Sequence, residues 1–198
     1  MDRSARFWTV WLGHLGDPAL RRTFAIGFLI LFGFIGVFTY VGFVLMGPPF
    51  ALSATALGLV FLVFLPSMVT TPWAGHVTRR FGPGVTSAAS LGLALVGLGL
   101  LLLPSLVPVI AGMTLVGIGT FFAQAVATDH VGRIANGDKA AASGLYLSSY
   151  YCGGLAGAAV IGLLFDASGW PAAIGGVAVA LTFAAVLGLG LSERDPNE

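Results

Sequence analysis

Apolar residues fall along this chain in six long blocks, roughly 24–46, 55–73, 85–103, 107–128, 141–164 and 171–191, each bounded by Gly, Pro, Ser or a charge. A helix needs about 20 apolar residues to cross the hydrocarbon core of a bilayer. None of the blocks shows the two-residue alternation of a barrel strand. Backbone in lipid must satisfy its hydrogen bonds internally, so each block is predicted to be a helix. The short segments 46–54, 103–108 and 166–171 ("MGPPFALSA", "LPSLVP", "DASGWP") read as turns. The fold class expected is all-α, a polytopic membrane protein with six transmembrane helices.

Composition agrees: 57% of residues are hydrophobic and 9% are charged. Mean hydropathy is +0.96. A soluble domain approaches a quarter charged. The net charge of +1 comes with no basic stripe, which argues against a nucleic-acid partner. The one cysteine, Cys152, excludes an internal disulfide, and His14, His76 and His130 lack metal-ligand spacing. No motif of soluble enzymology is present, so neither an enzyme nor a cofactor is expected.

The nine cations set the orientation. Arg3, Arg6, Arg21 and Arg22 precede the first block, and Arg79 and Arg80 lie between the second and third. Arg133 and Lys139 lie between the fourth and fifth, and Arg194 follows the sixth. The other turns hold none. All cations therefore fall on one side, which the positive-inside bias makes cytoplasmic. Both termini follow them there, in the cytoplasmic (inner) membrane. The organisation expected is a cytoplasmic segment over 1–23, a six-helix bundle over 24–191 and a cytoplasmic tail over 192–198. In the first segment, Phe7, Trp8, Trp11, Leu12 and Leu15 share one side of a short helix, with Arg3 and Arg6 near lipid phosphates. An aromatic linker is the plainer alternative.

An internal echo divides the bundle. Gly75 and Gly82, and again Gly162 and Gly169, are glycines seven apart, and the two pairs are offset by 87 residues. The same offset superposes blocks two and three on blocks five and six. A three-span unit is odd, so two copies insert with opposite topology, as in the inverted repeats of secondary transporters.

These features resemble the carboxyl-terminal half of a major facilitator superfamily transporter, of the efflux-type branch. "AGHVTRRFGPG" is similar to the family's loop motif, roughly G-x-x-x-D-R-x-G-R-R: Gly75, Arg80 and Gly82 match it, while Arg79 takes the usual Asp position. "DHVGRIANGDKAAASGLYLSSYYCGG" and "GLLFDASGWPAAI" resemble later segments, and "HLGDPALRRTFAIGFL" resembles the central loop. The resemblance implies alternating-access transport of a small molecule. This chain would supply one bundle, completed by an amino-terminal half or a second copy. A non-transporting scaffold or truncated relic is the alternative.

The resemblance also implies a cytoplasmic gate at Gly75, Arg79, Arg80 and Gly82, braced from the exit of the fourth block by Asp129 and Arg133. Because Arg79 removes the usual carboxylate, Asp129 is expected to pair with Arg80. The alternative is that the arginines anchor topology and bind lipid headgroups. His130 is a titratable neighbour. Tyr146 and Tyr150, four apart on one helix face, are expected to line a substrate cavity with Gln124, Phe121 and Tyr40. For each, interhelical bonding or packing is the alternative. Gly153 and Gly157 continue the tyrosine face, and the stripe Gly144, Ser148, Cys152 and Ala156 is read as the close-packing face. Pro66 should kink the second helix, with Ser67 and Thr70 re-satisfying freed groups.

Overall fold

The computed structural model describes residues 11–192; the aromatic pair Phe7 and Trp8, with Arg3, Arg6 and Arg194, lies outside them. Among the described residues every regular element is helical. Residues 11–16 form one short helical stretch, and α1 (Pro18–Met46) follows. Asp17 caps α1 by accepting from the backbone N–H groups of Ala19 and Leu20, and Pro18 occupies the first turn, where a missing N–H costs nothing. The first helix thus begins six residues before the apolar block does, because cap chemistry rather than hydropathy sets its start.

The second pass, α2 (Ala54–Phe81), is discontinuous. Tighter 3₁₀ turns at Phe61–Phe64 and Thr71–Trp73 interrupt it around Pro66 and Pro72. The Thr70 hydroxyl donates to the Pro66 carbonyl (3.0 Å) and the Thr71 hydroxyl to the Ser67 carbonyl (2.6 Å). Thr70 and Thr71 therefore do the work expected of Ser67 and Thr70; the Ser67 hydroxyl is buried and unpartnered. Helices α3 (Pro83–Leu100) and α4 (Leu106–Ile134) follow.

The last helical run, Lys139–Leu189, is 51 residues long. A straight helix of that length would measure about 75 Å, more than twice the hydrocarbon thickness. It does not run straight: Gly169, at φ 76° and ψ −170°, breaks it into α5 (139–168) and α6 (170–189). The chain doubles back there, and the Trp170 indole N–H donates to the Leu101 carbonyl at 2.9 Å. Five runs long and apolar enough to cross a membrane thus make six passes.

Gly82, between α2 and α3, has φ 80° and ψ 158°. That region is essentially open to glycine alone. The two triplets, α1–α3 and α4–α6, therefore turn from their second to their third helix through the same backbone conformation, 87 residues apart. Proline follows each corner, at 83 and 171.

The core is built by close helix crossings. Gly153 and Gly157 of α5 lie directly on the backbone of Phe28 and Phe32 in α1, where a Cβ would overlap main-chain atoms. This corrects the sequence reading. The stripe Gly144, Ser148, Cys152 and Ala156 is not the packing face: Ser148 and Cys152 are exposed and Gly144 has open space around it. Van der Waals fit between small residues drives such crossings in lipid, so the face that meets a neighbour decides, and sequence spacing offers both. Gly97 and Gly112 bring α3 and α4 equally close, and Gly33 and Gly36 admit Leu181 and Val177 of α6.

One helix is left over. In the most apolar window of α2 only 17% of residues are buried, against 39–50% in the other four runs. Leu59, Leu62, Leu65, Met68, Val69 and Trp73 of α2 are exposed.

Candidate functional site

The site builds outward from Gly27 of α1. Its missing side chain makes room for the Tyr146 ring, which is 1% exposed. From there the Tyr146 hydroxyl donates to Gln124 Oε1 of α4 at 2.6 Å. Gln124 Nε2 reaches Thr128 Oγ1 at 3.4 Å, and that hydroxyl donates to the Gln124 carbonyl at 2.8 Å. Tyr150 stacks on Tyr146 with ring centroids 6.3 Å apart. One turn along α4, the partly exposed Phe121 ring meets Phe34 of α1 edge-on (5.2 Å) and Phe64 of α2 (6.1 Å). Three elements, α1, α2 and α5, thus converge on the α4 face that carries Phe121, Gln124 and Thr128.

Of the five residues expected to line a cavity, the structure brings together Phe121, Gln124, Tyr146 and Tyr150. Tyr146 is a buried interhelical bond rather than a surface. Tyr40 stands apart: it lies 13 residues beyond Gly27 on α1, about 20 Å along the axis. Its hydroxyl donates to the Ala158 carbonyl at 2.6 Å, over Gly162, and its ring stacks on Phe165. Tyr40 clasps α1 to α5. Sequence reasoning missed Thr128, although it sits at i+4 from Gln124 and so on the same face.

At the cation-bearing end the expected gate is rearranged. Gly75, Arg79 and Arg80 are on a helix, Ala74–Phe81, that stops at Gly82, and not in a loop. Asp129, His130 and Arg133 lie within the last turns of α4. The expected Arg80–Asp129 pair is absent. Asp129 instead binds Arg133 four residues along its own helix, at 2.9 Å, with both side chains 44% exposed. A partner on the same helix face costs less ordering than one on another element, which is why the local pair wins. Arg80 lays its guanidinium over the Phe81 ring at 5.2 Å, and Arg79 is exposed. The α2 residue that faces the Asp129 cluster is Thr78, across a cavity of about 180 Å³ that Pro83, His130 and Arg133 also line.

Among the described residues, His14 and Arg22 fasten the segment around the start of α1 to this end. His14 Nε2 lies 3.0 Å from the Asp138 carbonyl, in the turn before α5, and the Arg22 guanidinium donates to the Gly190 carbonyl at the end of α6. A cation at a helix carboxyl terminus satisfies an orphan carbonyl and complements the dipole.

Helix triplets closed by equivalent glycine corners, packed through small residues and leaving one polar and aromatic face uncovered, are the architecture of a secondary-transporter bundle. The chain belongs to the Major Facilitator Superfamily, whose model matches residues 23–198. It is 36% identical over 181 residues to the "Inner membrane transport protein YnfM" of Escherichia coli (strain K12), covering 91% of this chain and 43% of that protein. It is 31% identical to the "Uncharacterized MFS-type transporter YybF" of Bacillus subtilis (strain 168), again over 91% of this chain but 44% of the relative. An "Uncharacterized transporter" of Buchnera aphidicola subsp. Baizongia pistaciae is 31% identical over 69% of this chain and 34% of its own length. The chain spans less than half the length of the curated relatives it matches.

Proposed function

We propose that this chain forms one six-helix bundle of a secondary active transporter, which exports a small molecule across the cytoplasmic membrane by alternating access. The observation that carries this reading is the one-sided bundle. The apolar surface of α2 and the Phe121–Gln124–Thr128 face of α4 are the places where a second bundle would enclose a solute. Family membership and relatives named as transporters support the same reading. The one-sided distribution of Lys and Arg supports placing both termini in the cytoplasm, and the name of the Escherichia coli relative supports the inner membrane. In this reading the chain is a carrier and not an enzyme. Its partners are a second bundle (an amino-terminal half or another copy), membrane lipid and the solute. The helix end at 74–82 and the Asp129–Arg133 pair form the cytoplasmic gate, and the segment before α1 serves as the linker between bundles.

The test is solute uptake into inverted membrane vesicles under an imposed pH gradient, with and without a co-expressed amino-terminal half. Uptake that requires the second bundle is the expected result. Absence of uptake under both conditions would favour a scaffold that folds and moves nothing.

A further inference from the structure

The protons around Gln124 can be accounted for one by one, and the account says what the α4 face offers a solute. Thr128 has one hydroxyl proton, committed to the Gln124 carbonyl at 2.8 Å. Toward the amide of Gln124, Thr128 therefore only accepts. That fixes the amide: Nε2 must face Thr128, and Oε1 must face Tyr146, whose hydroxyl donates at 2.6 Å. The flipped amide would set its oxygen against an oxygen with no proton to give. One N–H and one lone pair of the carbonyl oxygen are thus occupied, and one N–H remains for the open side beside the oxygen's second lone pair. Further along the same stripe, the Thr114 hydroxyl proton is likewise committed, to the Ile110 carbonyl at 2.9 Å. The Tyr150 hydroxyl, next to Tyr146, has no hydrogen-bond partner among the described residues. No Asp, Glu, Lys or Arg occurs in 23–46 of α1, 54–78 of α2, 106–128 of α4 or 141–165 of α5.

We infer that this face selects an uncharged, planar aromatic solute bearing a hydrogen-bond acceptor such as a carbonyl, which takes the spare Gln124 N–H while its ring lies against Phe121. The inference rests on the proposal that the α4 face is a substrate wall. A charged solute would find no counter-charge on these segments of α1, α2, α4 and α5, where ionised groups are costly. A solute lacking an acceptor would leave the amide N–H unpaired once water is displaced. Tyr146 acts here as a positioning residue: it touches Gln124, not the solute.

The experiment uses the full chain in native membrane vesicles and benzophenone, an uncharged aromatic ketone that photolabels what it contacts. Label is expected on peptides of α4 and of the elements that meet its Phe121–Gln124–Thr128 face, α1, α2 and α5. Acetophenone should compete at three- to tenfold lower membrane concentration than ethylbenzene, the range one hydrogen bond supplies, at about 0.5–1.5 kcal/mol. Benzylammonium should not compete. Gln124→Met keeps the side-chain length without a hydrogen-bond donor, and Gln124→Leu shortens it as well. With Tyr150→Phe removing the neighbouring unpartnered hydroxyl, both should abolish the acetophenone advantage while leaving labelling by ring contact. Tyr146→Phe should shrink the advantage without removing it, because the amide is then free to turn. Label spread over α3 and α6, equal competition by ethylbenzene, or an advantage that survives Gln124→Met would each overturn the inference. Vesicle transport reads the other proposal: selective labelling with no transport in either condition leaves this inference standing and removes the transporter role.

Discussion

The α2–α3 and α5–α6 hairpins turn through the same glycine corner, yet their leading helices differ in nearly every other respect. α5 runs unbroken from 139 to 168 and lies on α1 through Gly153 and Gly157. α2 is broken by two 3₁₀ turns, carries Pro66 and Pro72, and leaves most of its apolar surface uncovered. An equivalent position in a repeat thus does not impose an equivalent packing environment. The backbone conformation at the corner is a local requirement, met by glycine in both copies. How deeply a helix packs depends on whether its small residues meet a neighbour: Gly153 does, whereas Gly58 of α2 has nothing within 4 Å of an added Cβ.

This contrast can be broken experimentally. The largest effect is expected from Gly153→Val, which would push side-chain atoms into the Phe28 backbone. Forced overpacking of this kind costs about 1–3 kcal/mol or more, read as a lower thermal midpoint of the detergent-solubilised chain. Gly58→Val should leave that midpoint nearly unchanged. If both changes are silent, the tight α1–α5 crossing is wrong.

Next come the corners. Gly82→Ala and Gly169→Ala each force a non-glycine residue into a strained region, at about 1–3 kcal/mol. Similar losses at the two sites would sharpen the equivalence of the hairpins; a loss at one only would break it. A smaller effect, about 0.5–1.5 kcal/mol, is expected for Tyr40→Phe, which deletes the bond to the Ala158 carbonyl. Thermal melts of that variant should differ from those of Tyr151→Phe, where the side chain is exposed. The smallest effect belongs to Asp129. An exposed i,i+4 pair is worth about 0.3–0.5 kcal/mol, so a double-mutant cycle should show weak coupling of Asp129 to Arg133 and none to Arg80. Coupling to Arg80 instead would restore the brace that the structure does not contain.

The number of passes, their approximate limits and the clustering of the described cations at one end were all readable from the chain. Each rests on a local and roughly additive quantity: the transfer free energy of consecutive side chains into lipid, or the cost of moving a cation across it. The position of the Gly82 and Gly169 corners was readable too, through their offset. Gln124 could be chosen because an amide in an apolar span faces protein or water, and Phe121 as an aromatic wall beside it. What the tertiary structure decided was rotation and partner. Two small-residue stripes on α5 were equally plausible by spacing, and only contact with α1 separates Gly153 and Gly157 from Gly144 and Cys152. Tyr40 and Tyr146 have the same chemistry, but one meets a carbonyl of α5 and the other an amide of α4. The carboxylate of Asp129 found its own helix rather than α2. Hydropathy fixes how deep a residue sits in the bilayer and is silent about which way it faces. Facing is settled by steric fit between helices far apart in sequence, and no stretch of the chain encodes that fit alone.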